Sequence, residues 1–149
     1  MTQTPDLIVE RKGSAGLLTL NRPEALNALT HDMARGIRTA LDRWIDDDAV
    51  RHVIIKGAGA KAFCAGGDLR DLYDTGVVKG RKASSEQLAF FADEYRLNTF
   101  IHAYPKPYIA LVDGIVMGGG VGVSMHGRYR VGSEKLMFAM PEVGIGFFP

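Results

Sequence analysis

The run Met117-Gly118-Gly119-Gly120-Val121-Gly122, with Met140-Pro141-Glu142 following it, is the most informative part of this sequence. A helix that begins at Gly119 or Gly120 leaves its first N–H groups without intrahelical partners and gathers partial positive charge there. With no side chain in the way, that end can approach a carbonyl oxygen closely. The same run can equally be a tight strand-to-helix crossing. A nucleotide site does not fit it. No G-x-G-x-x-G register matches Gly118–Gly122, and no Lys-Ser/Thr pair follows to make a P-loop.

Outward from this run the chain alternates between two periodicities. Tyr108–Val112 reads as a strand before it, Gly119–His126 as a short helix, and Arg128–Val131 and Leu136–Ala139 as strands after it. At the other end, Leu7–Arg11 and Ala15–Leu20 flank Lys12-Gly13-Ser14 and predict a hairpin. Thr30 is placed to cap a helix running to about Asp46, on which Met33, Ile37, Ala40, Leu41, Trp44 and Ile45 share one face. Val53–Ile55 reads as a buried strand ending at Gly57-Ala58-Gly59. Asp68 is a candidate cap for a short helix stopped by Gly76. Ser84 with Gln87 makes a capping box for a long helix to about Ala103. Strands with interleaved helices put the chain in the α/β class.

Composition narrows the function classes. At 149 residues the chain is long enough for one domain with a substantial core. Net charge is +1 without a basic stripe, so nothing argues for nucleic acid or an anionic membrane as partner. No apolar stretch approaches the length that crosses a bilayer, and the first residues lack a basic, then apolar, leader pattern. A single cysteine excludes an internal disulfide framework and fits a reducing compartment, with the cytoplasm as the default expectation. Glycine is the unusual count, 18 of 149 against a usual share of about 7%. Nine of the 18 lie between Gly114 and Gly146, which favours a site or tight turns over a flexible linker.

Each candidate residue has a plain structural alternative. Ala65-Gly66-Gly67-Asp68 offers a second exposed backbone N–H, but alone it reads first as a turn whose aspartate caps the next helix. Cys64 has no histidine near it in sequence and reads as a small packed residue rather than a nucleophile. Glu142, set among Pro141 and Val143-Gly144-Ile145-Gly146, is either a desolvated carboxylate suited to proton transfer or an exposed loop residue. His31, His52, His102 and His126 lack metal-ligand spacing, so no metal is expected. Asp93-Glu94 on the long helix reads first as a solvated pair.

Taken together the segments resemble the crotonase superfamily of enoyl-CoA hydratases and isomerases over essentially the whole chain. The resemblance is carried by Leu20-Asn21-Arg22-Pro23-Glu24-Ala25-Leu26-Asn27-Ala28-Leu29, Ala62-Phe63-Cys64-Ala65-Gly66-Gly67-Asp68-Leu69 and Lys106-Pro107-Tyr108-Ile109-Ala110 leading into Gly118-Gly119-Gly120. It implies a crotonase-like spiral of ββα units that binds acyl-CoA, with the thioester oxygen held by the N–H groups of Ala65 and Gly119. Ala25, Gly66, Gly67, Asp68 and Glu94 are implied substrate contacts. Crotonase-type hydratases carry a glutamate two residues after the triple glycine and a second after the later proline; here those positions are Gly122 and Glu142. The finer likeness, in Asp93–Asn98, Gly118–Gly127 and Phe138–Pro149, is to the branch that hydrolyses 3-hydroxyisobutyryl-CoA in valine breakdown.

That branch implies Glu142 as the catalytic carboxylate, either attacking the thioester or activating water. No cofactor is implied beyond the CoA of the substrate, and a homo-oligomer is among the expectations. Its pattern continues past Phe-Phe-Pro into an aspartate and further helices, so the chain is expected to be the N-terminal part of the fold, residues 1–149 forming an acyl-CoA-binding core without the C-terminal helices. Two alternatives stand beside hydrolysis. One is a single-acid isomerase or hydratase-type enzyme, and the other is an inactive fragment that self-associates through exposed apolar surface.

Overall fold

The computed structural model describes residues 5–70, 73–74 and 85–148. It opens with the expected hairpin, β1 (Leu7–Lys12) antiparallel to β2 (Ala15–Leu20). β2 is buried over most of its length, because the helix α1 (His31–Ile45) packs against it. Thr30 starts that helix as the sequence predicts. Its backbone is extended and its Oγ1 accepts the N–H of Met33 at 3.2 Å. Met33, Ile37, Leu41 and Trp44 on the inner face are at most 1% exposed, so the 3.6-residue period becomes core.

The rest of the chain repeats one unit. β3 (His52–Gly57) and β4 (Ala62–Cys64) precede α2 (Ser85–His102). β5 (Tyr108–Val112) and β6 (Ile115–Met117) precede α3 (Gly119–Met125), and β7 (Tyr129–Gly132) and β8 (Met137–Ala139) precede a 3-10 turn, Glu142–Ile145. Within each unit the first strand joins a five-stranded sheet ordered β1-β2-β3-β5-β7, parallel from β2 onward. The second strand joins a parallel three-stranded sheet ordered β4-β6-β8. This is the α/β class read from the order of elements, arranged as the spiral of ββα units that the resemblance implies. Each unit turns sharply between its strands. At the β5–β6 turn Gly114 has φ +70°, and a Cβ there would collide with the carbonyl of Lys61.

The strands of the smaller sheet, β4 and β6, were not visible in the sequence. Each is three residues long, too short to show an alternating period, and each is held by pairing with strands far along the chain. Gly76 and Ser84, read as a helix stop and a cap, lie outside the described residues. On the far side, Tyr129, Val131, Met137 and Phe138 of β7 and β8 are exposed. Among the described residues no helix is long and apolar enough to cross a membrane.

Candidate active site

Parallel pairing brings three strand ends together. β4, β6 and β8 lie side by side and finish at Cys64, Met117 and Ala139. Gly67, Gly119 and Glu142 follow those ends by two or three residues each, so they emerge at one edge of the small sheet. Ligands of parallel α/β sheets bind at that carboxyl edge. Here the edge opens into a cavity of about 1210 Å³ walled by α2 and α3, with Gly66, Gly67, Glu94, Gly119 and Glu142 in its lining.

The glycines are there because side chains would not fit. Gly118 has φ +47° and ψ −123°, a conformation open to glycine alone, and a Cβ on it would lie 2.9 Å from Oε1 of Glu142. A Cβ on Gly119 would lie 2.5 Å from Oε1 of Glu94 and 3.4 Å from the nitrogen of Gly67. Glu142 is therefore seated on Gly118, and Glu94 on Gly119 beside Gly67. Gly120 turns inward, where a Cβ would press on the carbonyl and side chain of Cys64.

The backbone donors fall differently from the expectation. The N–H of Ala65 donates to the carbonyl of Leu26 at 3.0 Å, so it is committed to the fold. Leu29 then binds the same segment through both of its backbone groups: its N–H donates to the carbonyl of Gly66, and its carbonyl accepts from the N–H of Asp68. Between those two bonds the N–H of Gly67 donates to no acceptor among the described residues, and the same is true of Gly119 at the first turn of α3. The free pair is Gly67 and Gly119, and Ala65 is corrected accordingly. Leu26 and Asn27 hold the accepting loop in left-handed conformations, at φ 51° and 55°. The buried Asn27 side chain fastens it, donating to the carbonyls of Ala58 and Ala62 at 2.9 and 2.8 Å and accepting from Arg22 N–H at 2.9 Å.

Two carboxylates share the cavity. Glu94 is only 6% exposed, and burial, then the nearby charge of Glu142, pushes its pKa up from 4.5 to about 7. Glu142 heads the 3-10 turn, half-buried, and its Oε2 is screened from solvent with no hydrogen-bond partner among the described residues. Leaving such an acceptor unpaired costs roughly 1–3 kcal/mol or more for a charged group, so the site gains most from a ligand or water that donates to it. Asp93, one residue from Glu94, faces outward instead. His31, then Arg35, hold its carboxyl below the usual range through contacts of 2.8 and 3.1 Å. The pair read as solvated is thus split by helical geometry into a surface ion cluster and a cavity acid.

Asp68 and Ala25 are not brought to the cavity. Asp68 pairs with Arg22 at 2.9 Å, a bond that ties the loop after β4 to the loop after β2, and Ala25 sits on the 3-10 turn Pro23–Ala25. Cys64 is fully buried, and burial drives its thiol up to about 12, which suits packing and not nucleophilic attack. His102 and His126 meet edge-to-face in the cavity wall with centroids 6.4 Å apart.

One cavity residue was missed. Asn98 lies four residues after Glu94 on the same face of α2, 9% exposed, and its Oδ1 is buried without a hydrogen-bond partner among the described residues. A Cβ on Gly122 would lie 2.5 Å from its Nδ2 and 3.0 Å from its Oδ1. The signal was present in the sequence as two polar residues at i and i+4 on a helix face that also carries Phe90, Leu97 and Ile101.

A family model described as enoyl-CoA hydratase/isomerase matches residues 15–149. A Danio rerio protein named 3-hydroxyisobutyryl-CoA hydrolase, mitochondrial, is 54% identical over 97% of this chain. The chain spans 37% of that relative's length. A solved structure described as a carnitinyl-CoA dehydratase from Mycobacterium thermoresistibile superposes with TM-score 0.92 at 50% identity, covering 98% of this chain and 42% of that one. Another, described as an enoyl-CoA hydratase from Rhodobacter sphaeroides 2.4.1, gives TM-score 0.92 at 43% identity, covering 97% and 42%.

Proposed function

The chain belongs to the enoyl-CoA hydratase/isomerase family, and from that premise we propose that it is the acyl-CoA-binding core of a thioester hydrolase acting on 3-hydroxyisobutyryl-CoA. The observation that carries this reading is the pairing of two uncommitted N–H groups, Gly67 and Gly119, with one unpartnered carboxylate oxygen on Glu142. A thioester oxygen placed against both N–H groups gains most as it becomes an oxyanion. One such donor is typically worth roughly 3–4 kcal/mol of barrier. Glu142 then supplies the acid–base or nucleophilic step, delivering water to the carbonyl carbon either directly or through a mixed anhydride; the C–S bond breaks and CoA leaves as the thiol.

Gly66, Gly67 and Glu94 remain as substrate contacts in this reading, and no group beyond the substrate's own CoA is called for. A homo-oligomer is part of it, favoured by the exposed apolar side chains of β7 and β8. The relative's name places that protein in mitochondria and lends no support to a cytoplasmic location; the buried, free Cys64 supports a reducing compartment of either kind.

A second reading, hydration or dehydration at the β-carbon, draws on the descriptions of the two solved structures. Glu94 shares the cavity with Glu142 and, among the described residues, is the one carboxylate placed to pair with it for such chemistry; beside Gly122, two residues after the triple glycine, the space is filled by Asn98. Thiol release from 3-hydroxyisobutyryl-CoA, followed with a thiol reagent beside formation of the conjugated enoyl thioester, separates the two. We expect release of free CoA that Glu142→Gln reduces by roughly 10²–10⁴-fold. Enoyl-CoA without thiol release would replace this reading with the second.

A further inference from the structure

Along the α2–α3 contact, two polar side chains face two glycines in register. Glu94 sits over Gly119, and Asn98, one helical turn later, sits over Gly122. If a thioester carbonyl rests on the Gly119 N–H, the Asn98 amide lies about 5 Å further along the helix pair, the rise of one turn. That is the reach of a substituent on the β-carbon of the acyl chain. Asn98 is nine-tenths buried and lines the cavity, and its Oδ1 has no hydrogen-bond partner among the described residues. Its oxygen accepts and its nitrogen donates, and rotation of the amide exchanges them, so it can serve both sides of a hydroxyl group.

We propose that Asn98 is the residue that selects a β-hydroxylated acyl chain, hydrogen-bonding the β-hydroxyl where the missing side chain of Gly122 leaves room for the amide. It deepens the hydrolase reading and rests on the same cavity. The amide does not titrate, so it holds the hydroxyl without protonating it as a leaving group, and the β C–O bond stays intact while the thioester is attacked. Asn98 is a specificity residue and takes no proton in the reaction.

Binding separates this proposal from the activity. With turnover blocked by Glu142→Gln, dissociation constants are measured for 3-hydroxyisobutyryl-CoA, isobutyryl-CoA and CoA. The hydroxylated thioester is expected to bind roughly tenfold more tightly than its deoxy counterpart, the scale of one net hydrogen bond. Asn98→Ala and the near-isosteric Asn98→Leu, each added to that background, are expected to bring the ratio close to one while leaving the affinity for CoA unchanged. A ratio near one before substitution overturns the proposal, as does a ratio that both substitutions leave intact. Parallel loss of CoA affinity in both variants overturns it too, making Asn98 a packing residue. If the unmodified protein releases no thiol but the ratio behaves as expected, the hydrolase reading fails and the selection by Asn98 stands.

Discussion

Glu94→Gln should make this protein more stable, and only above a certain pH. The folded chain holds the Glu94 carboxyl at about 7 against an ordinary 4.5, because burial, and secondarily Glu142, penalises its charged form. Below pH 4.5 the group is protonated whether the chain is folded or not, and it costs nothing. Between 4.5 and about 7 the unfolded chain gives up this proton while the folded chain keeps it, so unfolding gains ground as pH rises. Above about 7 the penalty levels off. Each tenfold change in acid strength is about 1.4 kcal/mol, which makes the full penalty about 3 kcal/mol. Glutamine keeps the shape and a neutral head. Urea unfolding at a series of pH values should therefore find the variant equal to the parent near pH 4.5 and more stable by about 3 kcal/mol near pH 8. A variant that is less stable at pH 8, or whose advantage does not change with pH, would refute the assignment of Glu94 as a buried acid strained by its own charge.

Other tests reach different parts of the molecule. Gly120→Ala should destabilise the fold by about 1–3 kcal/mol in the same unfolding experiment, since the new Cβ would press on the backbone carbonyl of Cys64, which has no freedom to swing aside. Cys64, with its thiol driven up to about 12 and no exposed surface, should resist iodoacetamide at pH 8 in the folded protein and react fully in urea.

How far the sequence could be read follows from which forces act locally. The hairpin, the Thr30 cap and the apolar face of α1 were legible because each is fixed by residues within a few positions of one another. β4 and β6 were not, since three-residue strands owe their existence to partners fifty residues away. At the site, Gly119 and Glu142 stood out by residue type. Choosing between Ala65 and Gly67 required knowing which N–H is spent on Leu26, a bond across a loop that no spacing rule exposes. Glu94 and Asp93 look alike in sequence and are separated only by the one-residue turn of a helix, which sends one to the cavity and the other to His31 and Arg35.

The common edge of β4, β6 and β8 also bears on how such a site tolerates change over evolutionary time. Gly67, Gly119 and Glu142 are each anchored to the end of their own strand, and the strands are kept adjacent by pairing. The chain between one strand and the next can therefore lengthen or shorten without moving any of the three groups. What is fixed is the short offset from strand end to functional residue; what is free is the interval separating one functional residue from another. Insertions should accumulate between the units and be excluded from Cys64–Gly67, Met117–Gly119 and Ala139–Glu142. A search for distant kin of this protein would do better to score those three offsets than the distances among them.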